Sequence, residues 1–107
     1  MAKKNEVPAR YVLVGIGGYG LYYGKTNASD EAILKRKAVR LSECRHVRYW
    51  YGKSGGITSL AAYGPCGPRV AENRIGAPVP SALISEVVNV YDCTEEAVRA
   101  FAAIEVV

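Results

Sequence analysis

The chain has 107 residues and a mass of 11.6 kDa, a length that one hydrophobic core serves, so residues 1–107 are read as a single domain. Half of the residues are hydrophobic and 22% are charged, a globular balance rather than a disordered one, and the formal net charge is +4. No apolar run reaches the roughly 18–20 residues of a membrane span. The start, Met1-Ala2-Lys3-Lys4-Asn5-Glu6, lacks the apolar stretch of a secretory signal, and a cytosolic protein is expected.

Arg10 to Ile16 is rich in β-branched and aromatic residues and reads as a strand. Gly17-Gly18 supplies a turn, and Gly20 to Thr26 reads as the returning strand of a glycine-rich hairpin. Asn27-Ala28-Ser29-Asp30 is turn chemistry; beyond it, Glu31 to Lys37 fits either a short helix capped by Ser29 or Asp30 or a strand edge. Ala38 to Tyr51 reads as a long strand. Val39, Leu41, Val47, Tyr49 and Tyr51 share one parity, interrupted by Glu43 and Arg45, which predicts a bulge or bend near residues 42–45.

Thr58 or Ser59 is expected to cap a short helical turn through Leu60 to Tyr63, ended by Gly64-Pro65. Residues 64–80 hold four of the five prolines and read as an irregular connection. Ala82 to Tyr91 is strand-like. Thr94 then caps a helix in which Glu95 and Glu96 favour the positive end of the dipole, and Val98, Phe101 and Ala102 pack on a sheet. The expected architecture is α+β: a small, mainly antiparallel β-sheet with a short central helix and a C-terminal helix.

Seven of the fourteen basic residues lie between Lys35 and Lys53, where Glu43 is the one acidic residue. The same segment carries Tyr49, Trp50 and Tyr51. Cations meet phosphates and rings stack on bases, so this strip fits nucleotide binding. It fits a solvated strand face with a few core aromatics equally well. Three cysteines without a C-x-x-C pair, and a single histidine, argue against a disulfide framework and a zinc site. Cys44 and Cys93 read as small core residues, and Cys66 as a loop thiol.

Gly15-x-Gly17-x-x-Gly20 matches the glycine spacing of a dinucleotide fingerprint, but a strand rather than a helix is expected after it, so it is read as a hairpin turn. Gly52-Lys53-Ser54 lacks the upstream glycine of a P-loop, leaving either a solvent loop or a weak anion site. His46 has no carboxylate or serine partner at a recognisable spacing. No catalytic constellation is legible, and no cofactor or metal is expected.

Leu41-Ser42-Glu43-Cys44-Arg45-His46-Val47-Arg48-Tyr49-Trp50, followed by Ser59-Leu60-Ala61-x-x-Gly64, resembles a family of small tailed-phage proteins. That family carries a pattern close to L-x-N-A-R-R-I-W-Y-W, a glycine loop, and S-L-x-x-L-A-x-x-G. Here Glu43, Cys44, His46 and Arg48 depart from the pattern while keeping the strip cationic. The resemblance implies a phage or prophage origin. Among the roles such proteins take, a nucleotide sponge fits the residues best: a non-enzymatic protein that sequesters a nucleotide second messenger of the cyclic oligonucleotide type and blocks host anti-phage defence.

In that reading Arg40, Arg45, Arg48 and Lys53 hold phosphates, Trp50 and Tyr51 stack, and Thr58 or Ser59 fixes base or ribose edges. A homo-oligomer with its pocket at a symmetric interface, in the host cytosol and away from membranes, is expected. The modest net charge and the lack of a recognisable DNA-binding motif speak against duplex nucleic acid. The alternative is a virion component or an inhibitor of a host protein, with the same arginines and aromatics as interface anchors.

Overall fold

A computed structural model describes residues 6–17, 20–51 and 56–104. The elements are β1 (Glu6–Ile16), β2 (Leu21–Ala28), α1 (Asp30–Arg36), β3 (Ala38–Tyr49), α2 (Gly56–Tyr63), β4 (Arg74–Ile75), β5 (Val79–Ser85), β6 (Val87–Asp92) and α3 (Glu95–Ala103). The chain is α+β with a mainly antiparallel six-stranded sheet, a short central helix and a C-terminal helix, as the sequence predicts. No helix among the described residues is long and apolar enough to cross a membrane.

β1 and β2 form the expected antiparallel hairpin, with Leu13 opposite Tyr23 and Tyr11 opposite Lys25. Because β2 is a strand, the dinucleotide reading of the glycine spacing is excluded: no helix N-terminus stands after Gly20. The stretch left open at residues 31–37 is helical. Ser29 caps it, its Oγ accepting from the Ala32 backbone N–H at 3.1 Å, and Lys37 ends it in the left-handed conformation at φ 53°. Arg10 ties this corner together: its guanidinium reaches Asp30 at 2.6 Å, Asp92 at 2.9 Å and the Ala28 carbonyl at 2.8 Å.

The strand order is β4-β3-β2-β1-β6, with β5 also paired to β3. β5 therefore flanks β3 at one side of the sheet and β6 flanks β1 at the other, yet only Glu86 separates them in the chain. A flat sheet would hold strands four places apart at about 19 Å, whereas two peptide steps reach about 7.6 Å. The sheet must curl until its edges meet. Hydrogen bonds from Gly17 N–H to the Glu86 carbonyl (2.9 Å) and from Val87 N–H to the Lys37 carbonyl (3.0 Å) close the seam. The single strand expected over Ala82–Tyr91 is thus two strands turned at Glu86, whose φ is 58°.

Two cores follow. Val12, Val14, Val39, Leu41, Ile84 and Val87 fill the inside of the curl, with Ile33 of α1 among them. Leu13, Tyr23, Val47 and Ile75 face outward and are covered by Leu60 and Ala61 of α2 and Phe101 of α3. Val39 and Leu41 therefore lie on one side of β3 and Val47 on the other, although all three are odd-numbered. The cause is the expected bulge: at Glu43 the backbone turns left-handed at φ 52°, and the β2–β3 register shifts between Tyr23↔Arg45 and Lys25↔Ser42.

Two local expectations are corrected. α2 starts at Gly56, two residues before Thr58, so Thr58 and Ser59 lie inside the helix rather than at its cap. In α3, Ala97 and Phe101 are the buried positions, while Val98 is half-buried and Ala102 exposed. Thr94 caps α3 as expected, accepting from Ala97 N–H at 3.1 Å, and donates to the Ala62 carbonyl of α2 at 2.5 Å.

Gly64 ends α2 at φ 73°, and a Cβ there would stand 2.6 Å from the Ala100 Cβ and 2.9 Å from the Ala97 carbonyl oxygen. Gly64→Ala is expected to destabilise the fold by about 2–4 kcal/mol, from backbone strain added to overpacking, as read by chemical denaturation.

Candidate functional site: two clefts on the outer sheet face

The basic strip does not form one surface. Arg40 is exposed on the outer face opposite Leu83 of β5 and donates to Ser81 Oγ at 3.0 Å. Arg45, past the bulge, is 6% exposed and points under α3. Its Nε donates to the Gly76 carbonyl at 2.8 Å and its Nη1 to the Phe101 carbonyl at 2.7 Å; Nη2 reaches the Ile75 and Ile104 carbonyls at 3.5 and 3.4 Å. Burial lowers its pKa, the neighbouring Tyr23 opposes that, and the guanidinium stays charged. Arg45 is thus a structural clamp on the C-terminal carbonyls of α3. The expectation that it holds a ligand phosphate is corrected, because its donors are spent on backbone.

Arg48 is exposed, two residues along the strand from His46, whose ring stacks on Tyr22 at 4.9 Å. Trp50 is half-buried and packs against the outer core, and Ser59 is buried in α2. Tyr51 is half-buried, with the Arg69 guanidinium 4.1 Å over its ring and its hydroxyl 2.7 Å from that of Tyr49; Arg69 in turn holds Glu72 through two 2.8 Å bonds. Thr58 is exposed on α2, and Lys53 lies outside the described residues.

What the fold does bring together is a different group. Row by row across the outer face stand Tyr11, Lys25 and Ser42, then Leu13, Tyr23 and Arg45, with Glu43 inserted between the rows by the bulge. α3 covers the second row and leaves the first open. Two clefts result, and Glu43 lines both. One, of about 270 Å³, is walled by Tyr11, Tyr23, Phe101, Pro78 and Ile104, with Arg45 also lining it. The other, of about 330 Å³, is lined by Lys25, Asn27, Arg40 and Ser42. Each is near the lower end of the roughly 300–1,000 Å³ of small-molecule sites.

The rings Tyr11, Tyr23 and Phe101 stack in a ladder with centroids 5.4 and 3.9 Å apart, and the Lys25 ammonium lies 5.7 Å from the Tyr11 centroid. Tyr11 Oη donates to the Glu43 carboxylate, 3.3 Å from each oxygen. Burial, then the Glu43 charge, raises the Tyr11 pKa, and burial raises that of Tyr23 further, so both phenols are neutral donors at physiological pH. Tyr11, Lys25, Asn27 and Glu43 were not singled out as site residues from sequence. Their available signal was Glu43 itself, an acidic residue alone in a basic strip at the point where the apolar parity breaks.

A family model described as a domain of unknown function, DUF6948, matches residues 9–101. The chain belongs to the DUF6948 family. The match runs from β1 to Phe101 of α3 and so takes in Arg45 and the lining of both clefts apart from Ala102 and Ile104. No curated protein and no solved structure matches the chain.

Burial pushes the Cys93 thiol up to about 12, with the Asp92 charge adding to the shift, and raises the Cys44 thiol as well. Among the described residues no group of three His, Cys, Asp or Glu side chains is placed to hold a metal ion. Cys44 and Cys93 are therefore expected to resist iodoacetamide at pH 8 in the native protein and to react once it is unfolded, as read by mass spectrometry. Arg45→Ala should cost roughly 3 kcal/mol or more in denaturation, since it strands buried carbonyls, and Arg45→Lys less, because it keeps the charge and loses the fork.

Proposed function

We propose that this chain is a non-enzymatic binder of a small anionic nucleotide, seated across the two clefts. The observation that carries this reading is the adjacency of unlike surfaces: Lys25 and Arg40 line one cleft, and the other, sharing Glu43 with it, is walled by rings. A nucleotide carries the matching pair of groups, a phosphate for the cations and a flat base for the ring-walled slot. Arg40 keeps the phosphate-binding role expected of it, and Lys25 takes the place that Arg45 vacates. Lys25 lies on β2 and comes beside Ser42 of the strip only through the β2–β3 pairing, which is why the basic strip read along the sequence did not contain it.

Together with the resemblance to small tailed-phage proteins, the reading extends to sequestration of a nucleotide defence signal in the host cytosol, by a homo-oligomer whose second copy closes the open side of the clefts. A protein-binding role is the second reading, favoured by the exposure of Leu34 (69%), Leu83 (61%) and Val88 (59%).

Isothermal titration with a panel of mono-, di- and cyclic oligonucleotides tests the proposal, with native mass spectrometry giving the subunit count. Lys25→Ala/Arg40→Ala is expected to weaken a bound nucleotide about 100-fold, at two charge-assisted contacts, while leaving the melting temperature near that of the unmodified chain. No binding across the panel overturns the reading in favour of a protein partner.

A further inference from the structure

Glu43 stands at the junction of the clefts in a backbone conformation that a side chain disfavours. Its φ of 52° lies in the left-handed region, which is strained for a residue with a Cβ and at a turn would suit glycine or asparagine. The bulge needs the conformation; it does not need a carboxylate. The carboxylate is also little used by the fold. Its contact with Tyr11 is long, 3.3 Å to each oxygen, which leaves most of its lone pairs open.

In the ring-walled cleft the other ionised group is Arg45, whose nitrogens face backbone carbonyls. Glu43 is therefore the charged group of that cleft that is available to a ligand, and it is an acceptor only. The remaining walls are apolar or aromatic: Pro78, Val98, Ala102, Ile104 and the Tyr11–Tyr23–Phe101 ladder. A flat heterocycle fitting here is selected by the edge it turns toward the carboxylate.

Resting on the nucleotide reading above, we propose that Glu43 makes this site selective for guanine over adenine. Guanine presents two parallel N–H donors, at N1 and N2, which match the two oxygens of a carboxylate as a guanidinium does. Adenine presents one donor at N6 beside a bare acceptor at N1, and that acceptor would face a carboxylate lone pair. With the base edge on Glu43, the phosphate falls in the adjoining cleft of Lys25 and Arg40.

The test is titration of the full-length chain with GMP, IMP and AMP. GMP is expected to bind at least 10-fold tighter than AMP, with IMP, which lacks the N2 amine, in between. Glu43→Gln, which turns one acceptor into a donor, should abolish the GMP preference. Glu43→Gly should remove the preference as well, while melting at or above the unmodified chain, because glycine relieves the left-handed strain. A merely structural Glu43 would instead lower the melting temperature on either change and leave the ratio of GMP to AMP affinity intact, which would overturn the proposal. Equal GMP and AMP binding by the unmodified chain overturns guanine selectivity and leaves nucleotide binding standing, and absence of binding by all three nucleotides and by the wider panel overturns both.

Discussion

The buried guanidinium of Arg45 is the contact on which the outer half of the molecule depends. It belongs to β3, and it binds the carbonyl of Ile75 in β4, that of Gly76 just beyond, and those of Phe101 and Ile104 at the C-terminal end of α3. A helix ends in carbonyls without intrahelical partners and carries partial negative charge there, so a buried cation is well matched to the position. Among the described residues, backbone oxygens rather than a carboxylate satisfy this guanidinium. The same residue seats Phe101 against Tyr23, and with it the ring ladder that walls the first cleft.

The bulge at Glu43 makes that arrangement reachable. Without the extra residue, strand alternation would keep Arg45 on the same side as Leu41 and Val39, inside the curl, where an unpaired cation is prohibitively expensive. One left-handed residue moves Cys44 inward and Arg45 outward. It also places Glu43 on the outer face at the rim that α3 leaves uncovered, so one backbone irregularity sets both the clamp and the candidate site. Among the described residues, three that are not glycine, Lys37, Glu43 and Glu86, have positive φ. Lys37 ends α1 and Glu86 turns the closing corner between β5 and β6. Each of these two has a backbone role that accounts for it, whereas the carboxylate of Glu43 has little beyond the long contact with Tyr11.

Local chemistry made much of the fold legible. Ser29 and Thr94 are caps in the structure because a hydroxyl before an acidic first turn satisfies the same orphan amides wherever it occurs. The β1–β2 hairpin, the long β3 and the site of its bulge follow from alternation and its interruption. β4 was hidden because two residues carry no periodicity, and the split at Glu86 because glutamate is not the residue that normally announces a turn.

The sequence by itself determined the type of most elements, though not of residues 31–37 or β4, together with the α+β class, the concentration of cations along β3 and the place where its alternation fails. Periodicity and capping act over a few residues, so a chain read in isolation contains them. Only the tertiary structure decided which cations meet a ligand. Arg45 looks like Arg40 and Arg48 in the sequence, and its burial depends on where α3, 56 residues later, lays its last carbonyls. Lys25 and Tyr11 come beside Glu43 through pairing across three strands, and the register that aligns them is a property of the sheet as a whole.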